Sequence, residues 1–210
     1  MFEIQNFSLF IISSILLNLT PGQDTIYIIG RSVVQGKKGG MVSAFGIMSG
    51  VLVHTMLAAF GLSAILVASS IAFSIVKYIG AGYLIWIGIG FVRNKAHHAQ
   101  LSIDGSIQQK PWKTYRQGML TNLLNPKVAL FFLSFLPQFV SPETESVFGS
   151  FMALGMIFFM TGSIWCIVLV YGSSWLKSKF YGGNMMGGLL NKITGALFIG
   201  LGIKLAFSQR

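Results

Sequence analysis

The sequence is poor in charge and nearly free of cysteine. A single cysteine, Cys166, in 210 residues excludes a disulfide within the chain, and with it a CxxC redox pair or a thiolate metal cluster. Charged residues make up only 10% of the chain against 53% hydrophobic ones, a balance outside the range of soluble globular domains. No stretch is left over for a water-soluble domain. Ahead of the first apolar run, "MFEIQNF" has no Lys or Arg and so lacks the basic region of a cleaved signal peptide, and the first segment is expected to be retained. What the chain does have is apolar runs of about 20 residues, enough at ~1.5 Å per residue to cross a bilayer, almost back to back. This is a membrane chain.

Six membrane segments are expected, at 4–30, 41–67, 71–92, 118–140, 147–171 and 189–207, giving an all-α membrane protein of one domain. Lys and Arg fall in alternate connections. Arg31, Lys37 and Lys38 follow segment one; Arg93, Lys95, Lys110, Lys113 and Arg116 follow segment three; Lys177 and Lys179 follow segment five. The connections after segments two and four have none, and the latter bears Glu143 and Glu145. The basic face is read as cytoplasmic, with both termini outside. The net charge of +10 then has a membrane explanation, and a nucleic-acid partner is not expected. The loop over 93–117, with "KAHHAQ", reads as a hydrated linker, since adjacent histidines lack the usual ligand spacing; no metal or cofactor is expected. Trp112 and Tyr115 suit a headgroup-level anchor.

Two apolar segments are broken by proline. "NLTPGQDT" interrupts the first and "NLLNPKVALFF" the fourth, and Pro126 follows Pro21 at half the length of the chain. Segments three and six agree independently, sharing Lys-x-x-Gly-Ala, from Lys77 and Lys192, and a following Ile-Gly-x-Gly. The pattern predicts a duplication, with repeat one over about 1–92 and repeat two over about 118–210. Three segments per repeat invert the second relative to the first, an architecture of transporters. Thr20-Pro21-Gly22-Gln23 reads as an N-cap, a proline at the first helical position and a capping-box Gln; Asn125-Pro126 repeats the cap and the proline. Each break leaves free N–H groups and a positive dipole end at depth, a place suited to an anion such as a carboxylate.

Prolines also simply kink membrane helices, but Asp24 and Lys127 stand within about a turn of the breaks. A charge there costs at least ~2.5–3.5 kcal/mol, which favours a site over a kink. The two charges either form a structural ion pair or bind opposite ends of a zwitterion; an α-amino acid would satisfy both. The candidate substrate residues are Asn18, Thr20, Pro21, Gly22, Gln23, Asp24, Asn125, Pro126 and Lys127. His54, which titrates near neutral pH, is with Asp24 a proton-relay candidate, or else a histidine bonded between helices. Lys77 is read as snorkelling to the interface, and Gly46, Gly50 and the glycines of segments three and six as close helix contacts.

"LLNLTPGQDTIYI", "YIGAGYLIWIGIGFVR" and "LTNLLNPKVALFFLSFLPQFV", in this order, resemble the LysE/RhtB family of lysine and homoserine/threonine exporters across essentially the whole chain. The family's PGP[DN] motif falls on Pro21, Gly22, Gln23 and Asp24, and its NPK motif on Asn125, Pro126 and Lys127. Gln23 departs from the usual proline, which leaves the substrate open. The resemblance implies a multi-pass carrier of the bacterial inner membrane, without enzymatic activity, that exports an amino acid in exchange for protons. The alternatives are export of another small ion or zwitterion, or a non-transporting assembly subunit. Homo-oligomerisation is compatible with each.

Overall fold

The computed structural model describes residues 4–64, 110–141 and 144–173, with scattered positions between 75 and 93 and between 192 and 207. Among these residues the architecture is all-α, apart from one isolated antiparallel bridge between Ile4 and Val140. Helix α1 covers Phe7–Leu19. After the break at Pro21, α2 covers Gln23–Leu57 and runs on through a π-helical turn, Ala58–Leu62. Helix α3 covers Pro111–Leu123 and α4 Pro126–Leu130, the latter prolonged by a π-helical turn, Phe131–Phe135, and a 3-10 turn, Leu136–Phe139. Helix α5 covers Val147–Tyr171, the span expected for segment five, and starts on Ser146, whose Oγ accepts from Gly149 N at 3.1 Å.

The first connection is not a loop. Helical turns continue past Arg31 to a single non-helical residue, Gly36, at φ 69° and ψ −172°, and resume at once. Ser32 and Gly40 are eight residues apart, about 12 Å along a straight helix. Yet a Cβ on Gly40 would collide with Ser32 Oγ. The chain therefore doubles back at Gly36, a corner that a side chain would strain. The run Gln23–Leu62 is two legs. The first continues α1, whose 13 residues reach only about 20 Å and fall short of a bilayer core of about 30 Å; the second is long enough to cross alone.

Two helical runs, Gln23–Leu62 and Val147–Tyr171, are apolar and long enough to span a membrane, and the α3–α4 pair, bent by 47°, adds a third if counted as one span. Phe45, Phe60, Leu124 and Ile164, between 62% and 76% exposed, turn outward, as a lipid-facing surface requires. The legs sort into two ends. At one, Lys37 Nζ lies 5.0 Å from the ring of Tyr171, so the Gly36 corner meets the end of α5. At the other, Phe60 packs on Phe148 at 5.0 Å, and Gln5 N donates to Phe139 O at 2.8 Å. Segments one and four thus run antiparallel, the start of one beside the finish of the other.

Glycines set the closest approaches. A Cβ on Gly50 would lie 2.6 Å from Asn122 Oδ1, one on Gly118 2.7 Å from Ser43 O, and one on Gly46 would strike Tyr115 O, so α2 and α3 touch backbone to backbone. A Cβ on Gly195 would lie 2.6 Å from Gly88 O, so these glycines of segments three and six make a close helix contact, as glycines of both segments are expected to. Helix α3 starts at Pro111, inside the stretch read as a linker: proline at the first position and the exposed Trp112, stacked on Tyr115, belong to a helix. Lys77, His97, His98, Lys177 and Lys179 lie outside the described residues.

Candidate functional site

The two breaks meet. Lys127, in the first turn of α4, reaches across and donates through Nζ to Leu17 O at 3.1 Å and Thr20 O at 3.0 Å, carbonyls at the end of α1. A cation at a helix C-terminus also opposes the negative end of its dipole. On the other side of the ammonium lies the start of α2: a Cβ on Gly22 would sit 3.3 Å from Nζ. Gly22 is the N-cap of α2 and contributes no side-chain hydrogen bond to it. The ammonium is thus pressed between one helix's C-terminus and another's N-terminus.

The expected capping box does not form. Thr20, Pro21 and Gly22 precede a helix that starts only at Gln23, with Thr20 and Gly22 both in extended conformations. Thr20 Oγ1 is turned back, donating to Leu16 O at 2.7 Å, and so closes α1. The Asn125 cap does form: its Oδ1 accepts from Lys127 N at 3.0 Å, with Pro126 in the first turn.

Asp24 and Lys127 are not hydrogen-bonded to each other. Asp24 Oδ2 accepts from Asn122 Nδ2 at 2.9 Å, while Oδ1 is shut from solvent with no hydrogen-bond partner. Asn122 Oδ1, Asn125 Nδ2 and Trp165 Nε1 are buried and unpartnered as well. Two acceptors and two donors are therefore unsatisfied in one region, where each such group costs about 1–3 kcal/mol. His54, on the second leg of α2, lies with Nε2 3.3 Å from Asn122 O and stacks on Phe132 at 5.6 Å, which joins it to Asp24 through one asparagine.

A cavity of ≈ 40 Å³ lies among these groups, lined on its polar side by Asn18, Asp24, Thr25, Asn122 and Lys127. That is room for a few waters and not for an amino acid. Of the residues expected to form the site, Asn18, Asp24 and Lys127 line the cavity. Thr20, Gly22, Asn125 and His54 hold its framework from behind, and Pro21, Gln23 and Pro126 stay outside it, Pro126 exposed. Asn18 Nδ2 is itself held by Thr161 Oγ1 at 3.2 Å.

Asn122 was not legible in the sequence, since it gains meaning only from the neighbours it meets. Arg31, expected in a basic connection, is buried instead. That side chain, 1% exposed, donates through Nη2 to Gln117 Oε1 at 2.8 Å and lies 5.4 Å from the Tyr27 ring centroid. Tyr27 OH in turn donates to Thr114 O at 2.8 Å. This polar network ties the first leg of α2 to α3 on the Gly36 side of the cavity. On the opposite side, Phe10, Phe131, Phe135, Phe139 and Phe158 pack ring on ring, with Phe131 and Phe158 at 4.6 Å.

An all-α membrane fold whose charges gather at two facing helix breaks has the build of a transmembrane transporter. The LysE type translocator model matches residues 15–209, and the chain belongs to that family of transporters rather than enzymes. Among similar proteins are uncharacterized membrane proteins of Pseudomonas aeruginosa (29% identical over 206 residues, 97% of this chain and 95% of that one) and Bacillus subtilis (30% over 205 residues, 92% and 94%). A leucine efflux protein of an Enterobacter strain is 26% identical over 211 residues, 98% of this chain and 97% of its own. No solved structure matches.

Proposed function

We propose that the protein exports an α-amino acid across the bacterial cytoplasmic membrane by alternating access, in exchange for protons, with its site at the two helix breaks. The observation that carries this reading is the set of unsatisfied groups: Asp24 Oδ1 and Asn122 Oδ1 match an ammonium, and Asn125 Nδ2 and Trp165 Nε1 match a carboxylate. The Lys127 ammonium and the start of α2 add positive charge at the site. The leucine efflux protein among the relatives agrees with such a substrate. The Arg31 network on one side and the phenylalanine cluster on the other are the two gates, both closed around a cavity too small for cargo. In this reading six segments form two inverted repeats, and the Gly36 end is cytoplasmic.

Inverted membrane vesicles, whose cytoplasmic face is outward, test it. With the lumen made acid, they should accumulate a radiolabelled amino acid from a panel, and dissipating the pH gradient should abolish accumulation. Vesicles that take up no member of the panel would overturn the reading.

A further inference from the structure

The polar groups occupy only part of the cavity wall. Resting on the export reading, we infer that the remainder is a side-chain subsite for a neutral, apolar substrate, and that Gly162 sets its depth. The wall is made by Met48, Val51, Phe158, Gly162, Trp165 and Leu169. Phe158, Gly162, Trp165 and Leu169 follow one another at intervals of three and four along α5, so they form one face of it. Among the described residues no charged one belongs to that face of the cavity, and a basic or acidic substrate side chain entering it would lose its hydration without compensation.

Gly162 differs from the glycines that let helices approach. A Cβ on Gly46, Gly50, Gly118 or Gly155 would meet another helix nearer than 3.0 Å. At Gly162 the nearest atoms are Asn18 Oδ1 and Met48 Cε, both at 3.5 Å, which is ordinary contact. Helix packing therefore tolerates alanine there, and the space that glycine leaves belongs to the cavity. Asn18, at the polar end, and Met48, in the apolar wall, are the two residues a methyl group would touch. A side chain at 162 would stand at the junction of the two subsites, where the substrate's own side chain leaves its Cα.

Gly162→Ala should shorten the subsite, and Met48→Ala should lengthen it. In inverted vesicles holding equal amounts of protein, uptake of alanine, valine, leucine, methionine and lysine is measured for both variants and the wild type. One methylene in an apolar pocket is worth about tenfold or more in discrimination. The leucine-to-alanine uptake ratio should fall about tenfold in Gly162→Ala and rise in Met48→Ala, and lysine should be transported poorly by the wild type. Ratios unchanged in both variants, or wild-type uptake of lysine equal to that of leucine, would overturn the inference while leaving amino-acid export standing. A wild type that transports no member of the panel would overturn the export reading, and this inference with it.

Discussion

The break at Pro126 is closed from within, whereas the break at Pro21 is closed from without. Asn125 caps its own helix through Lys127 N, and Asn125 N donates back to Asn122 O, so the second break satisfies its backbone with its own residues. At the first, Thr20 returns to Leu16 O, a lysine from the other half of the chain donates to two carbonyls, and the N-cap of α2 is Gly22, which has no side chain. When Pro21 is laid on Pro126, Lys127 falls on Gly22: a long cation on one side faces a residue with no side chain on the other. The two breaks are alike in sequence and opposite in chemistry. A self-sufficient break is suited to stay fixed; a break completed by its partner is suited to move when the partner moves.

Substitutions can break or sharpen this contrast. Asp24→Asn should have the largest effect on transport, a loss of 100-fold or more at equal protein level in vesicles, with thermal stability unchanged or raised, because a buried carboxylate becomes a neutral amide. Retained export would remove Asp24 from the site. Lys127→Met should cost both export and stability. Removing this donor from Leu17 O and Thr20 O amounts to about 2–6 kcal/mol, read as a lower melting temperature in detergent and as faster hydrogen exchange near Pro21 rather than Pro126. The double neutral variant Asp24→Asn, Lys127→Met transporting like wild type would reduce both charges to scaffold.

His54→Gln, which keeps a hydrogen-bonding amide and cannot titrate near neutral pH, should abolish accumulation driven by an imposed pH gradient while leaving substrate counterflow within about twofold. Accumulation at the wild-type level would move the proton to Asp24. The smallest effects belong to the caps. Asn125→Ala should lower stability by about 1 kcal/mol. Thr20→Val should cost less, since the backbone N–H of Thr20 still donates to Leu16 O. Equal losses from the two would erase the distinction between the breaks.

Features fixed by local chemistry were legible in the sequence. Proline removes an N–H and forces the preceding residue out of the helical region, so both breaks could be placed to within a residue or two, and Val147 and Tyr171 bound α5 as expected. The cap at Asn125 is equally local. Thr20 failed because extended backbone separates it from α2, a choice of conformation that the residue types alone do not dictate. Arg31 failed for another reason: the charge rule for membrane loops assumes that basic side chains stay in water, and this one is held by Gln117 and Tyr27, which lie far off in sequence or a turn away. Proline at 111 signalled a helix start that the neighbouring Lys113 and Arg116 disguised as loop. Asn122 became part of the site only through contacts from α2, which no spacing within its own motif reports.

The strap between the start of the chain and the end of α4 has a bearing on the order of synthesis. Gln5 N can find Phe139 O, and Ile4 can pair with Val140, only after some 135 further residues have left the ribosome. At about 5–20 residues per second that is a wait of roughly 7–27 s. Through most of it Leu17 O and Thr20 O also lack their lysine, so α1 enters the bilayer with an unfinished end. Until the second break arrives, the first is a helix end without the lysine that reaches it, and a partner that shields such ends would have its moment there.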